Sequence, residues 1–469
     1  MIKTDNLLQK SLHEYYETNI ESINEGWDSS VSTLRKEAFS LLTEKGLPSS
    51  KSEKWRSTDL SKIYSQDFSF EDTATEYNKS IDEIFVCDVH GFDTQAVSML
   101  NGWFYSTDES KLNVHENGLI VGSMQEAQKQ FPELFNKYFN TVAKNDSHGL
   151  TAANAALFRD GLFIYVPEGL VVEKAVQLIK MINREANLMV NSRNLIILGK
   201  NSQLSFLHCD DSVNHNSSFI NTVTEVIISE NAHFCLNKLQ NLNDSTSLIN
   251  STFIKQDKSS TSKVNVMTYN GGLIRNELSV DLVGEGADAD LNGVYLMDKK
   301  QHVDNQVYVN HAVPNCTSSE LFKGVLDDEA KGVFNGYIYV KRDAQNTRAF
   351  QQNNNILLSS NAKIETQPFL EIYADDVKCS HGATVGQLDN EALFYMKQRG
   401  ISHADAKLLL MFAFAAEVTS KINIEPLRLS IEDMIKRRLR GELSICDKCV
   451  LHCSIPDQPM EFDIDMSKI

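Results

Sequence analysis

From about residue 150 onward the chain repeats one short phrase for more than 200 residues: a run of β-branched and aliphatic residues closed by a small polar turn. Leu195-Ile196-Ile197-Leu198 precedes Gly199-Lys200-Asn201-Ser202, and Val226-Ile227-Ile228 precedes Ser229-Glu230-Asn231-Ala232. The phrase returns at Leu282-Val283 before Gly284-Glu285-Gly286-Ala287, at Val325-Leu326 before Asp327-Asp328-Glu329-Ala330, and at Ile356-Leu357-Leu358 before Ser359-Ser360-Asn361-Ala362. Short apolar runs bounded by turn residues, with no helical period between them, predict strands, and so many in series predict one long all-β unit. The turns fall 30, 55, 43 and 32 residues apart. Propeller blades would repeat more evenly, so the spacing favours a degenerate β-solenoid, with a large sandwich as the alternative.

The flanks read differently. Val31, Leu34, Ala38, Leu41 and Leu42 are helically spaced, Gly46 suits a C-cap, and Pro48 blocks continuation. A polar stretch around Trp55, from Lys51 to Leu60, reads as exposed. Short strands are expected near Ile84–Val86 and Gly118–Val121, then helical pieces on either side of Pro132. Beyond Gly386, Asp389 is placed to cap a helix that Gly400 stops, and Ser402 opens a second. A third helix starts near Pro426, with Leu427, Ile431, Met434, Ile435 and Leu439 on one face. The expected division is 1–150 helical and mixed, 151–386 solenoid, 387–445 helical and 446–469 a Cys-rich tail.

Composition excludes whole classes. The 469 residues carry 45 Lys and Arg against 63 Asp and Glu, a formal charge of −18 that repels phosphate backbones and anionic membranes. The longest wholly apolar run, Leu408 to Ala416, is less than half a membrane span. No apolar stretch of signal-peptide length follows Met1, and eight cysteines are too sparse for a disulfide scaffold, so a cytoplasmic protein is expected.

Ordinary catalytic motifs are missing. Gly199-Lys200-Asn201 is the nearest approach to a P-loop, but Asn194 stands where its first glycine belongs and no hydroxyl follows the lysine. There is no Gly-x-Ser-x-Gly, no His-Glu-x-x-His and no dinucleotide fingerprint. In Val377-Lys378-Cys379-Ser380-His381-Gly382, strand alternation puts Val377, Cys379 and His381 on one face. A thiolate and an imidazole so placed suit iron or sulfur; a small apolar cysteine and a hydrogen-bonded histidine lining a β core is the plainer alternative. His208 with Cys209, His233 with Cys235, and His302, Asp304, His311 with Cys316 are weaker groupings, each short of a ligand set. The basic run Lys436-Arg437-Arg438-Leu439-Arg440 reads as a solvated helix end. In the tail, Cys446, Cys449, His452 and Cys453 pack four soft ligands together, enough for one zinc or iron ion, or else a pliable segment with free thiols.

Several long strings resemble the SufB/SufD family. They are His311 to Asp327, Gly332-Val333-Phe334-Asn335-Gly336, Leu370 to Leu388, Ala392-Leu393-Phe394-Tyr395 with Arg399-Gly400-Ile401, and Glu53 to Leu60 around the tryptophan. The stretch Ala349–Ile364, where the SufB branch is expected to present a cysteine for the nascent cluster, holds no thiol, so the resemblance is closer to the SufD branch. The resemblance implies a right-handed parallel β-helix between helical ends, and membership of the SufB–SufC–SufD complex that builds iron–sulfur clusters. It implies a non-enzymatic subunit pairing with SufB through the β-helix, with the ATPase SufC docked on the C-terminal helices around Asp389–Ile422 and Pro426–Gly441. The family's important histidine falls on His381, with Cys379 beside it, at the interface where a cluster is assembled transiently. The Cys-rich tail departs from the family pattern, and nothing in the residues assigns a flavin. Two rival readings are a purely structural β-helix homodimer and a β-helix polysaccharide-processing enzyme, for which no clustered acids can be assembled from the sequence.

Overall fold

The computed structural model describes residues 6–74, 93–106, 110–184, 186–212 and 216–440. The apolar runs are strands that alternate between two sheets, each pairing in parallel with the strand one coil before and one coil after. Asp288–Met297, for example, lies between Thr261–Asn270 and Thr317–Leu326, with Asp288 in register with both Thr261 and Thr317. The result is a parallel β-solenoid of about seven coils. The expected strand at Ile84–Val86 lies outside the described residues. That at Gly118–Val121 is displaced to Ile120–Ser123, because Gly118 sits in a turn with φ of 85°.

The uneven turn spacing in the sequence has a simple origin. The turns at 199, 229 and 284 follow strands of the first sheet, whereas those at 327 and 359 follow strands of the second. Two series of corners are interleaved along the chain. Asparagines supply the left-handed backbone at four corners of the first series, Asn201, Asn231, Asn315 and Asn346 with φ of 55°, 57°, 60° and 58°, while Ser259 and Gly286 supply it at two others. The Asn231 amide donates to Asn201 at 3.1 Å, so adjacent corners are tied to one another.

Alternation then sorts the side chains. Ile196, Val226, Ile254 and Val280 of the first sheet form one buried cluster with Phe206, Leu236, Val264 and Leu291 of the second, filling the lumen. Outward residues are covered too. Leu195, Ile197, Val223 and Phe253 pack with Phe135, and Met189, Phe219 and Ile249 with Leu42, Trp55 and Leu150, so N-terminal elements cover the first sheet. On the second sheet, Leu207, Leu239, Val294 and Leu296 pack with Met411, Ala415, Ile431 and Ile435 of the helices His403–Thr419 and Glu425–Leu439. Strands covered on both faces read as unbroken apolar runs rather than alternating ones. Strands before residue 150 extend the same sheets: Thr94–Leu100 pairs with Ala175–Ile182, and Ile120–Ser123 with Leu162–Val166.

The helix ends follow the sequence signals. Asp389 accepts from the N–H groups of Glu391 and Ala392, Gly400 has φ of 85°, and Ser402 accepts from Asp405 N–H. Two polar segments are less exposed than their composition implies. Trp55 is 2% exposed, with the Arg275 guanidinium 3.8 Å from its ring centroid. Beside it the Thr58 hydroxyl donates to Asp304 and lies 3.0 Å from His302, so the whole segment is moored on the first sheet. Arg438, in the basic run, is buried rather than solvated: it donates to the Tyr269 carbonyl at 2.8 Å and to Asp298 at 2.6 Å. Among the described residues no helix is long and apolar enough to cross a membrane.

Candidate functional site

The solenoid ends in an open coil. Lys363–Ile372 is the last strand of the first sheet and Val377–Gly386 the last of the second, and among the described residues each is paired on one side only. Two ten-residue strand edges at the same end of the molecule therefore have no strand partner among the described residues. Exposed apolar side chains accompany them: Phe350, Phe369, Tyr373 and Val385. Such edges are templates for pairing with another strand.

His381 and Cys379 lie on the last of these strands and share a face, as alternation requires. Cys379 is in register with Ala349, and both belong to a small apolar cluster with Ile338 and Val340 of the opposite sheet, so this face looks into the lumen. Among the described residues His381 has no coil beyond it, and it is exposed. Cys379 is half-buried, and burial pushes its thiol up, which keeps it protonated and packing as a small apolar group in this structure.

Behind His381, two polar residues continue the column inward. His381, Gln351 and Glu320 are Cα partners across three successive strands of one sheet. The Gln351 amide donates to Glu320 Oε2 at 2.6 Å. Glu320 is 2% exposed, and burial pushes its carboxyl up to about 8, so it is held as the neutral acid at pH 7. From the opposite sheet Gly336 faces this amide: a Cβ there would lie 1.9 Å from Gln351 Nε2. Neither residue was apparent as a site residue from the sequence. The signal is present nonetheless, since 320, 351 and 381 are about one coil apart, but it becomes readable only once the coil length is known.

The other groupings do not close into a ligand set among the described residues. His208 enters the lumen 3.2 Å from Asp210, near Lys180 and Lys238, while Cys209 joins the cluster beneath the C-terminal helices. His302 and Asp304 lie against Thr58 on the outer side of the first sheet. His311 turns inward to Ser318 at 2.9 Å, and the buried Cys316 thiol donates to the Gly284 carbonyl at 3.4 Å. Among the described residues no three His, Cys, Asp or Glu side chains converge as a metal cage. His381 and Cys379 alone do not complete a coordination sphere. Cys446, Cys449, His452 and Cys453 lie outside the described residues.

Comparison with known proteins accounts for nearly all of this architecture. Residues 181–414 match the family model described as the SufBD core domain of SUF system FeS cluster assembly, and residues 7–178 match the SufBD protein N-terminal region. An iron–sulfur cluster assembly SufBD family protein of Synechocystis is 27% identical over 423 residues, covering 88% of this chain and 92% of the relative. The iron–sulfur cluster assembly protein SufD of Escherichia coli is 40% identical over 171 residues, 36% of this chain and 40% of that one. SufD of Bacillus subtilis is 28% identical over 328 residues, 69% of this chain and 75% of that one. The solenoid, its helical flanks and the strings around His381 thus share one explanation: the chain belongs to the SufBD family, and its role lies in iron–sulfur cluster assembly.

Proposed function

We propose that this chain is a SufD-like, non-enzymatic subunit that pairs with a SufB scaffold through its terminal coil and presents His381 to the cluster being built there. The observation that carries the reading is the coincidence of two ten-residue edges, unpaired among the described residues, with an exposed histidine on one of them. A partner strand added to those edges would cover the exposed Phe369, Tyr373 and Val385 and close the lumen over His381. The cluster is the cargo of such an assembly. His381 offers one nitrogen, Cys379 a thiol once it is deprotonated, and the partner the remaining ligands.

The ATPase SufC would dock on the C-terminal helices, where Phe394, Tyr395 and Leu429 are exposed although the opposite side of the layer is packed on the second sheet. ATP hydrolysis would belong to that partner. Whether the tail residues Cys446, Cys449, His452 and Cys453 hold zinc or iron is a separate proposal, tested by metal stoichiometry before and after their deletion.

Co-expression with SufB and SufC, followed by iron and sulfide analysis of the purified complex, tests the main reading. Wild type should load clusters and His381→Ala should assemble but not load them. Normal loading by His381→Ala would make the chain an architectural partner only. A purified chain that forms a dimer of itself and ignores SufB would favour the same edges pairing between two copies.

A further inference from the structure

The column behind His381 has a property that the proposed function does not use. Gln351 is 3% exposed, its amide nitrogen is engaged by Glu320, and its carbonyl oxygen Oε1 has no hydrogen-bond partner among the described residues. A buried, unpaired acceptor costs about 1–3 kcal/mol, so its retention calls for a donor that arrives when the site is used. The neighbouring position on the same face, one strand further out, is His381. Paired positions on adjacent strands lie about 4.8 Å apart, which an amide and an imidazole span with a single hydrogen bond.

Two further residues fix the amide. The neutral Glu320 carboxyl receives the Gln351 NH2 group, so the carbonyl end of that amide is directed away from Glu320. Gly336 supplies the space: any side chain there would overlap the Gln351 amide, with a Cβ 2.4 Å from its Cδ. This gives a physical reason for glycine at the end of Gly332-Val333-Phe334-Asn335-Gly336, one of the strings that carries the family resemblance.

We propose that Gln351, oriented by Glu320 and Gly336, is a positioning residue whose side-chain carbonyl accepts the ring N–H of His381 and thereby leaves the other imidazole nitrogen as the one turned to the cluster. The inference rests on His381 being the cluster-facing residue. Histidines that bind metals generally donate their second ring N–H to a carbonyl or carboxylate, which fixes tautomer and ring orientation and is worth about 10–100-fold in affinity or activity. Here the acceptor is an uncharged amide already locked in place, so the imidazole need only change rotamer to meet it.

The test uses the full chain labelled with 15N-histidine in complex with unlabelled SufB and SufC, where the site is in use, with the His381 ring signals assigned by their loss in His381→Ala. Gln351→Leu should move the His381 ring nitrogen shifts by several ppm, and Gln351→Glu, which restores an acceptor, should bring them back toward wild type. In the complex with SufB and SufC, Gln351→Leu should lower cluster content about tenfold and Gln351→Glu should recover most of it. If Gln351→Leu does not fold, Glu320→Leu asks the same question by releasing the amide, while Glu320→Gln should behave as wild type. Unchanged ring shifts and loading in Gln351→Leu, with loading still lost in His381→Ala, would overturn the positioning role and leave the proposed function standing. Normal loading in His381→Ala would overturn the proposed function itself, and a ring shift in Gln351→Leu would then report a contact without a part in assembly.

Discussion

Glu320 is the place where the structure commits to a measurable number. Its carboxyl is moved by burial from 4.5 to about 8, so the folded chain keeps a proton that the unfolded chain releases above pH 4.5. Stability contributed by this group is therefore present at low pH and lost as pH rises toward 8. At about 1.4 kcal/mol per unit, the penalty is about 2 kcal/mol at pH 6 and about 4 kcal/mol at pH 8. Glu320→Gln removes the ionisable group while keeping an acceptor for the Gln351 amide, and its new NH2 takes the place of an oxygen without a partner. Whatever fixed cost that exchange carries does not depend on pH. The expected result is that urea unfolding followed by circular dichroism shows a gain for Glu320→Gln over wild type that is about 2 kcal/mol larger at pH 8 than at pH 6. A gain equal at both pH values, or none at pH 8, would refute the argument that this carboxyl is held neutral.

Two buried histidines and one half-buried one act in the opposite sense. His208, His302 and His311 are each lowered by burial from 6.5 to about 4, so the unfolded chain takes up protons that the folded chain refuses. Stability should fall by up to about 3 kcal/mol per histidine as pH drops from 6.5 to 4, visible as an unfolding midpoint that declines through that window and less steeply in His302→Gln. Trp55→Ala should cost about 3–5 kcal/mol through lost packing and the exposed Arg275 face, with faster hydrogen exchange around Leu60 to Tyr64 and a smaller effect in Trp55→Phe. Gly336→Ala should cost about 1–3 kcal/mol, measured by the same urea titration, because its Cβ must displace the Gln351 amide.

How much of this was legible in the residues depended on the range of the interaction. The strand-and-turn texture, the caps at Asp389 and Ser402, and the shared face of Cys379 and His381 are set within a few residues, and local rules recover them. The coil length was hidden because two series of corners interleave, and because the turn at Asp257–Ser260 follows Lys255-Gln256 rather than an apolar pair. Trp55 looked exposed because its partners lie far along the chain: Thr58 meets Asp304 across 246 positions. Arg438 looked solvated for the same reason, its acceptors at Tyr269 and Asp298 lying more than 100 positions upstream. Gln351 and Glu320 fall between these cases, since they align with His381 only when the coils are stacked in the right register.

A stack of coils that touch only their neighbours behaves as a one-dimensional lattice, and the ends of such a lattice melt first. Among the described residues the coil that carries His381 has one neighbouring coil instead of two, and neither hydrophobic cover includes its residues, although the Ser57 hydroxyl of the N-terminal segment donates to Glu365 there. Local opening there should need the least free energy of any part of the solenoid, with amide exchange slowing coil by coil toward the covered middle. Anything that supplies the next site on the lattice, whether a partner strand or a ligated cargo, also lengthens the ordered stack. Assembly and the folding of the last coil would then be a single linked equilibrium, so a weak terminal coil makes this end of the protein responsive to whether its partner is present.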